Sequence, residues 1–403
     1  MGTEVKDMTP EGFDFDKEYG LVLEGGGAKG AYQIGAWKAL MEYGVIIKAV
    51  AGVSVGALNG ALICMGDYEK AVNLWKNISY SSIMNVDDVE MDKLVGRRFK
   101  ELNIQTVRTE SRKFLVGRGI DVTPLRQLVE ENVDEQKIKE SEIEFIMGTF
   151  NVSNMKEENI SAKEAEEGYL KDYLMASANF PLFKNEKVNG KTYLDGGITN
   201  NVPIDLLINR GYKNILVIRI YGVGLEKRVK IPEDVTITYI APKIHLCNVL
   251  EFDKKKAGRN ITLGYYDAVR LLKPLIGDRY YIDGSKSEKK YLNAFLSLTQ
   301  EQMLHLLDEE KENQKPVYRI LLEEICPKIA AQLKLSKAWT YQQLYFAVLE
   351  YLARKVRLRK FKIYTEDNFR QELLSKIPKD IDDAENADII EKLAVSLLRN
   401  DFT

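Results

Sequence analysis

Five residues, Gly52-Val53-Ser54-Val55-Gly56, constrain the fold of this chain more than any other stretch, because a strand has to end and a helix begin within them. Upstream, Ile46 to Ala51 is mostly apolar and partly β-branched, as a buried strand requires. Downstream, Val55 to Met65 is rich in alanine and glycine, with apolar residues at helical spacing. So abrupt a change holds the serine in a tight backbone, and glycines two before and two after leave room for strand and helix to pack. Such a turn is a nucleophile elbow. It lifts the serine hydroxyl out of the sheet and sets it beside a helix N-terminus, whose unpaired N–H groups favour developing negative charge. The plainer reading of the same residues is a serine that caps a buried helix.

Ahead of the elbow, Gly20 to Glu24 reads as a short buried strand. It runs into Gly25-Gly26-Gly27-Ala28-Lys29-Gly30 and then an amphipathic helix over Ala31 to Tyr43. A glycine-rich loop in this position turns successive backbone N–H groups toward an anion. Gly25, Gly27 and Gly30 also satisfy the dinucleotide pattern G-x-G-x-x-G. That pattern needs an acidic residue at the end of the next strand to hold a ribose, and this strand ends in Ala51-Gly52-Val53-Ser54. A phosphate-binding Walker loop fails as well, since neither Lys-Ser nor Lys-Thr follows the last glycine. An oxyanion-binding loop is the expectation that remains, beside a glycine-rich turn with no ligand.

The rest of the first 272 residues alternates helices and strands. Helices are expected over Tyr68 to Ile78, Thr123 to Asn132 and Tyr169 to Phe183; strands over Ile143 to Phe150, Asn214 to Tyr221 and Val235 to Ala241. Ser79 to Asp121, with the basic pairs Arg97-Arg98 and Arg112-Lys113, reads as a polar excursion near the site. Glu186 to Asn189, an Asn189-Gly190 turn and Lys191 to Leu194 form a hairpin that delivers Asp195-Gly196-Gly197. The fold class is therefore α/β, with a largely parallel central sheet sandwiched by helices. From Lys273 the pattern turns mainly helical, over Glu288 to Leu307, Pro316 to Ala331 and Thr340 to Leu352, which divides the chain into domains at 1–272 and 273–403. Arg354 to Lys362 is the one concentrated basic run. It reads as a partly exposed helix end or edge strand, with attraction to anionic lipid headgroups as the alternative.

Composition narrows the partners. Lys+Arg at 58 against Asp+Glu at 60 gives no bulk attraction to nucleic acid, so none is expected as a partner. Three cysteines, Cys64, Cys247 and Cys326, have no metal-ligand spacing; no metal is expected, and reduced thiols suggest a cytoplasmic protein. The N-terminus is acidic and without an apolar core, so no secretion signal is read there.

A serine nucleophile needs a base and an oxyanion stabiliser. The chain has only two histidines, His245 and His305. The order Ser54, Asp195, His245 is that of an α/β-hydrolase triad. The other arrangement is a dyad in which Asp195 itself takes the serine proton, which requires burial to raise the basicity of an ordinary carboxylate.

Taken together, GGGAKG, GVSVG, MASANFPLF and the DGG after a hairpin resemble the patatin-like phospholipase family, over roughly Gly20 to Arg270. The resemblance implies a lipid acyl hydrolase with a Ser-Asp dyad on an α/β fold, with no metal requirement for the chemistry. The expected substrate is a phospholipid or other acyl-ester lipid, no cofactor is expected, and peripheral contact with the inner face of a membrane is a further expectation. The resemblance places Ser54 on the nucleophile, flanked by Gly52, Val53, Val55 and Gly56, and Asp195 on the base, supported by Gly196 and Gly197. Gly25, Gly26 and Gly27, with Lys29 and Gly30, fall on the oxyanion loop. Two departures stand out: Lys29 where the family often has arginine, losing a planar donor fork, and glycine in Asp195-Gly196-Gly197 where many members have alanine. A non-hydrolytic lipid-binding protein on the same fold is the alternative in another class.

Overall fold

Strand β1 (Glu18–Leu23) is buried at every residue but its first, a pattern that a strand shows only when both faces of its sheet are covered. In the computed structural model β1 pairs in parallel with β2 (Ile46–Val53) on one side and β7 (Asn214–Ile218) on the other. The structure describes residues 13–98, 119–184, 187–306, 316–377 and 387–400, with the side chains at 94–98 and 304–305 excepted. The N-terminal stretch, the side chains of Arg97-Arg98, the pair Arg112-Lys113, Glu186 of the hairpin and the side chain of His305 therefore lie outside the described residues.

By its contacts the chain splits into two units, Met1–Leu272 and Lys273–Thr403. In the first, an eight-stranded sheet runs in the order β5-β6-β3-β2-β1-β7-β8, with β4 paired to β3. The further strands are β3 (Glu144–Asn151), β4 (Lys156–Ser161), β5 (Lys187–Val188), β6 (Lys191–Asp195) and β8 (Thr236–Ile240). Four pairings, β1 with β2, β2 with β3, β1 with β7 and β7 with β8, are parallel; β4, β5 and β6 make the antiparallel ones. Strand β4 went unread in the sequence because its Lys-Glu-Glu-Asn composition carries no apolar run; it is a half-exposed strand beside β3. Helices cover both faces. Helix α2 (Val55–Met65) lays Gly60 against Val50 and Phe145. Their chain neighbours Ala49, Ala51 and Ile146 alternate to the opposite face, into a core with Val22, Leu207 and Val217 beneath the short helix Ile204–Asn209.

One detail of the register positions everything that follows. On β3, Gly148 pairs with Val53 of β2 and Thr149 with Asp195 of β6, while β4 pairs with both Gly148 and Thr149 from the other side. Strands β2 and β6 therefore lie along the same edge of β3 and run toward each other. Their C-terminal ends meet head-on between Gly148 and Thr149.

The second unit is mainly helical. Its core gathers Tyr291, Phe295, Tyr345, Leu349, Tyr364 and Phe369, all fully buried. The expected helix over Glu288 to Leu307 is two, Glu288–Leu296 and Gln300–Leu306, parted where Ser297 and Thr299 take up local hydrogen bonds. Tyr341–Lys355 starts from a capping box of Thr340 and Gln343. A small parallel pair, Tyr281–Asp283 with Ile363–Thr365, was not foreseen, being too short for a period-two pattern to register. Of the basic run, Arg354 and Lys355 close the helix, and residues 356–362 form an irregular turn.

Candidate active site

Because β6 occupies the edge of β3 directly ahead of β2, the chain leaving Val53 has to turn out of the sheet at once. Ser54 takes the turn with φ 57° and ψ −129°, a region where a side chain is strained. Space for it comes from the flanking glycines. A Cβ on Gly52 would stand 2.4 Å from the Gly56 carbonyl, and one on Gly56 would stand 2.3 Å from that of Leu23. The Ser54 side chain does not cap α2. Its backbone N–H is instead held by the Ser177 hydroxyl at 3.1 Å, which in turn donates to the Gly148 carbonyl at 2.7 Å. Ser177 ends the helix Leu170–Ser177 and is wholly buried, so it fastens the strained turn to β3.

Asp195, brought to the same point by β6, is 4% exposed. Its N–H donates to the Asn179 carbonyl at 2.9 Å, and its carboxylate accepts from Gly197 N–H at 2.8 Å. Loss of water around it pushes its pKa up to about 6, while hydrogen bonding from Ser54 and from Gly197 N–H pulls the other way. Desolvation wins, which leaves a carboxylate more basic than usual beside a serine hydroxyl. Of the two hydrogen bonds, the one from Ser54 pulls harder on the carboxylate than the one from Gly197.

The glycine loop arrives at the end of β1, level with the elbow, since Leu23 pairs with Gly52. Several of its N–H groups are spent on protein carbonyls: Gly25 on Asn201, Ala28 on Val249, and Lys29 on Gly26. Among the described residues, those of Gly26 and Gly27, and that of Val55 at the start of α2, meet no protein acceptor. These three residues line one cavity with Ser54 and Asp195. Lys29 and Gly30 turn elsewhere. Lys29 is buried and its ammonium donates to the Tyr221 carbonyl, with desolvation drawing its pKa down. Gly30 packs against Val55, Trp75 and Asn59. Beneath the loop, the buried Glu24 carboxylate accepts from Arg219 at 2.9 Å and from the N–H groups of Ile220, Tyr221 and Gly222, tying two loops together.

The cavity opens to solvent, and its wall is mostly apolar, with Leu62, Leu74, Ile78, Leu128, Phe180 and Phe252 among its residues. Ser54 and Asp195, with the amides of Asn59, Asn132 and Asn201, bring polarity to a space otherwise suited to hydrocarbon. His245 is exposed and is not among the lining residues.

An elbow serine, a desolvated aspartate and free loop N–H groups at an apolar cavity agree with the comparisons to known proteins. Residues 21–208 match the family model for patatin-like phospholipase. This segment is a patatin-like phospholipase domain. Neuropathy target esterase sws of Drosophila melanogaster is 30% identical over 201 residues, 49% of this chain and 12% of that protein. Probable lipid hydrolase 463L of Invertebrate iridescent virus 6 is 29% identical over 199 residues, 47% of this chain and 62% of that one. The chain thus spans less than two thirds of either relative. Among solved structures, VipD from Legionella pneumophila covers 94% of this chain and 90% of its own at 16% identity, with a TM-score of 0.40, too low to carry an argument. Within the patatin-like domain, sequence reasoning missed Glu24, Ser177, Asn179 and Asn201. Each is a polar or acidic residue held largely by groups that the local sequence does not reveal, and the one signal was the run MASANFPLF, which contains Ser177 and Asn179.

Proposed function

We propose that the patatin-like domain is a lipid acyl hydrolase of phospholipase A or esterase type, working through Ser54 and Asp195. The observation that carries this reading is the meeting of β2 and β6 on one edge of β3, which leaves a serine hydroxyl and a desolvated carboxylate together at the apolar cavity. Ser54 Oγ attacks the carbonyl carbon of a fatty acyl ester as its proton passes to Asp195. The oxyanion is held by the N–H groups of Gly26, Gly27 and Val55, each worth on the order of 3 kcal/mol in the barrier. Collapse of the tetrahedral species expels the alcohol, which takes the proton back from Asp195, and leaves the acyl group on Ser54. Water then releases the fatty acid. The apolar wall receives the acyl chain, so the substrate is a phospholipid or another acyl-ester lipid drawn from a membrane surface by peripheral contact. Three free, buried cysteines support a reducing, cytoplasmic setting.

Ser54→Ala tests the reading. Ester turnover and labelling by a fluorophosphonate should both vanish while the melting temperature stays within a few degrees of wild type. Turnover that persists in the variant removes Ser54 from the chemistry. A wild-type protein that binds lipid vesicles, yet neither releases fatty acid nor takes up the probe, is a binding protein on a hydrolase fold.

A further inference from the structure

Release of an acyl group from Ser54 needs a water with both of its protons placed. One goes toward Asp195. In a cavity walled by hydrocarbon, the second requires an acceptor of its own, or the oxygen lone pair is not held toward the ester carbon. We infer that the Asn201 side-chain oxygen is that acceptor, which makes Asn201 a catalytic residue of the deacylation half-reaction; the inference rests on the Ser54 and Asp195 reading above.

Asn201 lines the cavity and is 2% exposed. Its orientation follows from chemistry. The neighbours at one end of the amide are both acceptors, the Gly25 carbonyl at 3.0 Å and Glu24 Oε1 at 3.4 Å, so that end is the NH₂ group. Oδ1 is thereby turned the other way, into the gap between two glycines. The place a Cβ on Gly25 would take is 2.4 Å from Asn201 Oδ1 and 3.2 Å from Ser54 Cβ. The place a Cβ on Gly197 would take is 2.6 Å from Asn201 Oδ1 and 3.0 Å from Asp195 Oδ1. The amide oxygen thus packs closely against Gly25 and Gly197, glycines that adjoin Ser54 and Asp195, at the wall of the cavity that all of Ser54, Asp195 and Asn201 line. Another amide oxygen in the wall, Asn59 Oδ1, is already taken by the Trp75 indole at 2.9 Å.

In the step, water donates one hydrogen bond to Asn201 Oδ1 and one to Asp195. Its oxygen forms a bond to the acyl carbon as Asp195 takes the proton, the bond from carbon to Ser54 Oγ breaks, and Asp195 returns the proton to Oγ. The products are the free fatty acid and the regenerated serine. Asn201 holds the water and exchanges no proton.

The test is rapid mixing of wild type, Asn201→Ala and Ser54→Ala with a p-nitrophenyl acyl ester. Acylation is read from the first turnover of p-nitrophenol and deacylation from the steady state. Asn201→Ala should release about one equivalent at the wild-type rate, then turn over about 30-fold more slowly, with the acyl group found on Ser54 by mass spectrometry. A role confined to pinning the Gly25 carbonyl slows both phases together and overturns the inference, as does a steady state equal to wild type. Should the alanine variant fail to fold, Asn201→Ser keeps a donor for the Gly25 carbonyl and is held to the same split. First-turnover release by Ser54→Ala overturns the underlying reading, and Asn201's role with it.

Discussion

Two buried carboxylates, one in each unit of the chain, look alike until their partners are counted. Asp195 is 4% exposed and Glu350 3%, and loss of water raises the pKa of both. Glu350 accepts backbone N–H groups from Asp278, Arg279 and Tyr280, with the Arg279 N–H reaching both oxygens, at 2.9 to 3.1 Å. It stitches a helix to a turn and uses its lone pairs to do so. Asp195 accepts one backbone N–H and otherwise meets a serine hydroxyl at a cavity. Burial with a raised pKa is therefore common to a structural carboxylate and a candidate base. Unspent acceptor capacity at a cavity is what separates them.

The strongest way to break that distinction is Asp195→Asn. An amide cannot take the serine proton, so kcat/KM on a p-nitrophenyl ester should fall by roughly a thousandfold or more. The same change should stabilise the protein at pH 8. A carboxyl whose pKa rises from 3.8 to about 6 on folding lends stability that is present below pH 3.8 and lost as pH climbs through 6. Ionised Asp195 thus costs about 3 kcal/mol at pH 8, which a neutral amide avoids. A variant that is inactive and less stable contradicts this account of the residue.

Next in size is the acid limb of the wild-type pH profile. As the proposed base, Asp195 would work only when ionised, so kcat/KM should level off above a midpoint near pH 6 and fall about tenfold for each unit below it. A midpoint near 4 means that desolvation does not tune this carboxylate.

Glu350→Gln sharpens the contrast from the other side. The amide oxygen can still serve most of the N–H groups, but its NH₂ would face the Arg279 N–H that Glu350 Oε2 now accepts at 3.0 Å. By the same linkage a neutral amide avoids the cost of ionising Glu350, which offsets the lost bond, so the melting temperature should move little by calorimetry, with ester turnover per folded molecule within about twofold of wild type. A gain in stability together with lost activity at Asp195, and neither at Glu350, is the signature to look for.

How far this could be read from the sequence follows the same division. The elbow, the glycine loop and Asp195 were legible because each is written locally, as glycines at fixed offsets from a strand or a hairpin turn. Strands β1, β2 and β3 were legible as apolar runs, with ends shifted by one or two residues. The head-on meeting of β2 and β6 was not, since register between strands some 140 residues apart leaves no local mark. Nor was the spending of loop N–H groups. That Gly25 gives its N–H to Asn201 while Gly26 and Gly27 keep theirs depends on a carbonyl from a distant segment. Lys29 and Gly30 were assigned to the oxyanion loop through the family resemblance, whereas burial sends the lysine to the Tyr221 carbonyl.

The smallest expected effect bears on which residue is the base at all. If a histidine took the serine proton, Asp195 would only orient it, and its raised pKa would be as incidental as that of Glu350. The order of residues in the chain permits this with His245. In the structure His245 follows β8 on an exposed segment, outside the residues that line the cavity, and the influences resolved on Asp195 are burial, Ser54 and Gly197, with no imidazole among them. His245→Ala should therefore leave kcat and KM within about twofold of wild type, as for an exposed substitution remote from the chemistry. A drop of several hundred-fold, as from a lost triad member, would make Asp195 an orienting group and return the contrast with Glu350 to a coincidence of burial.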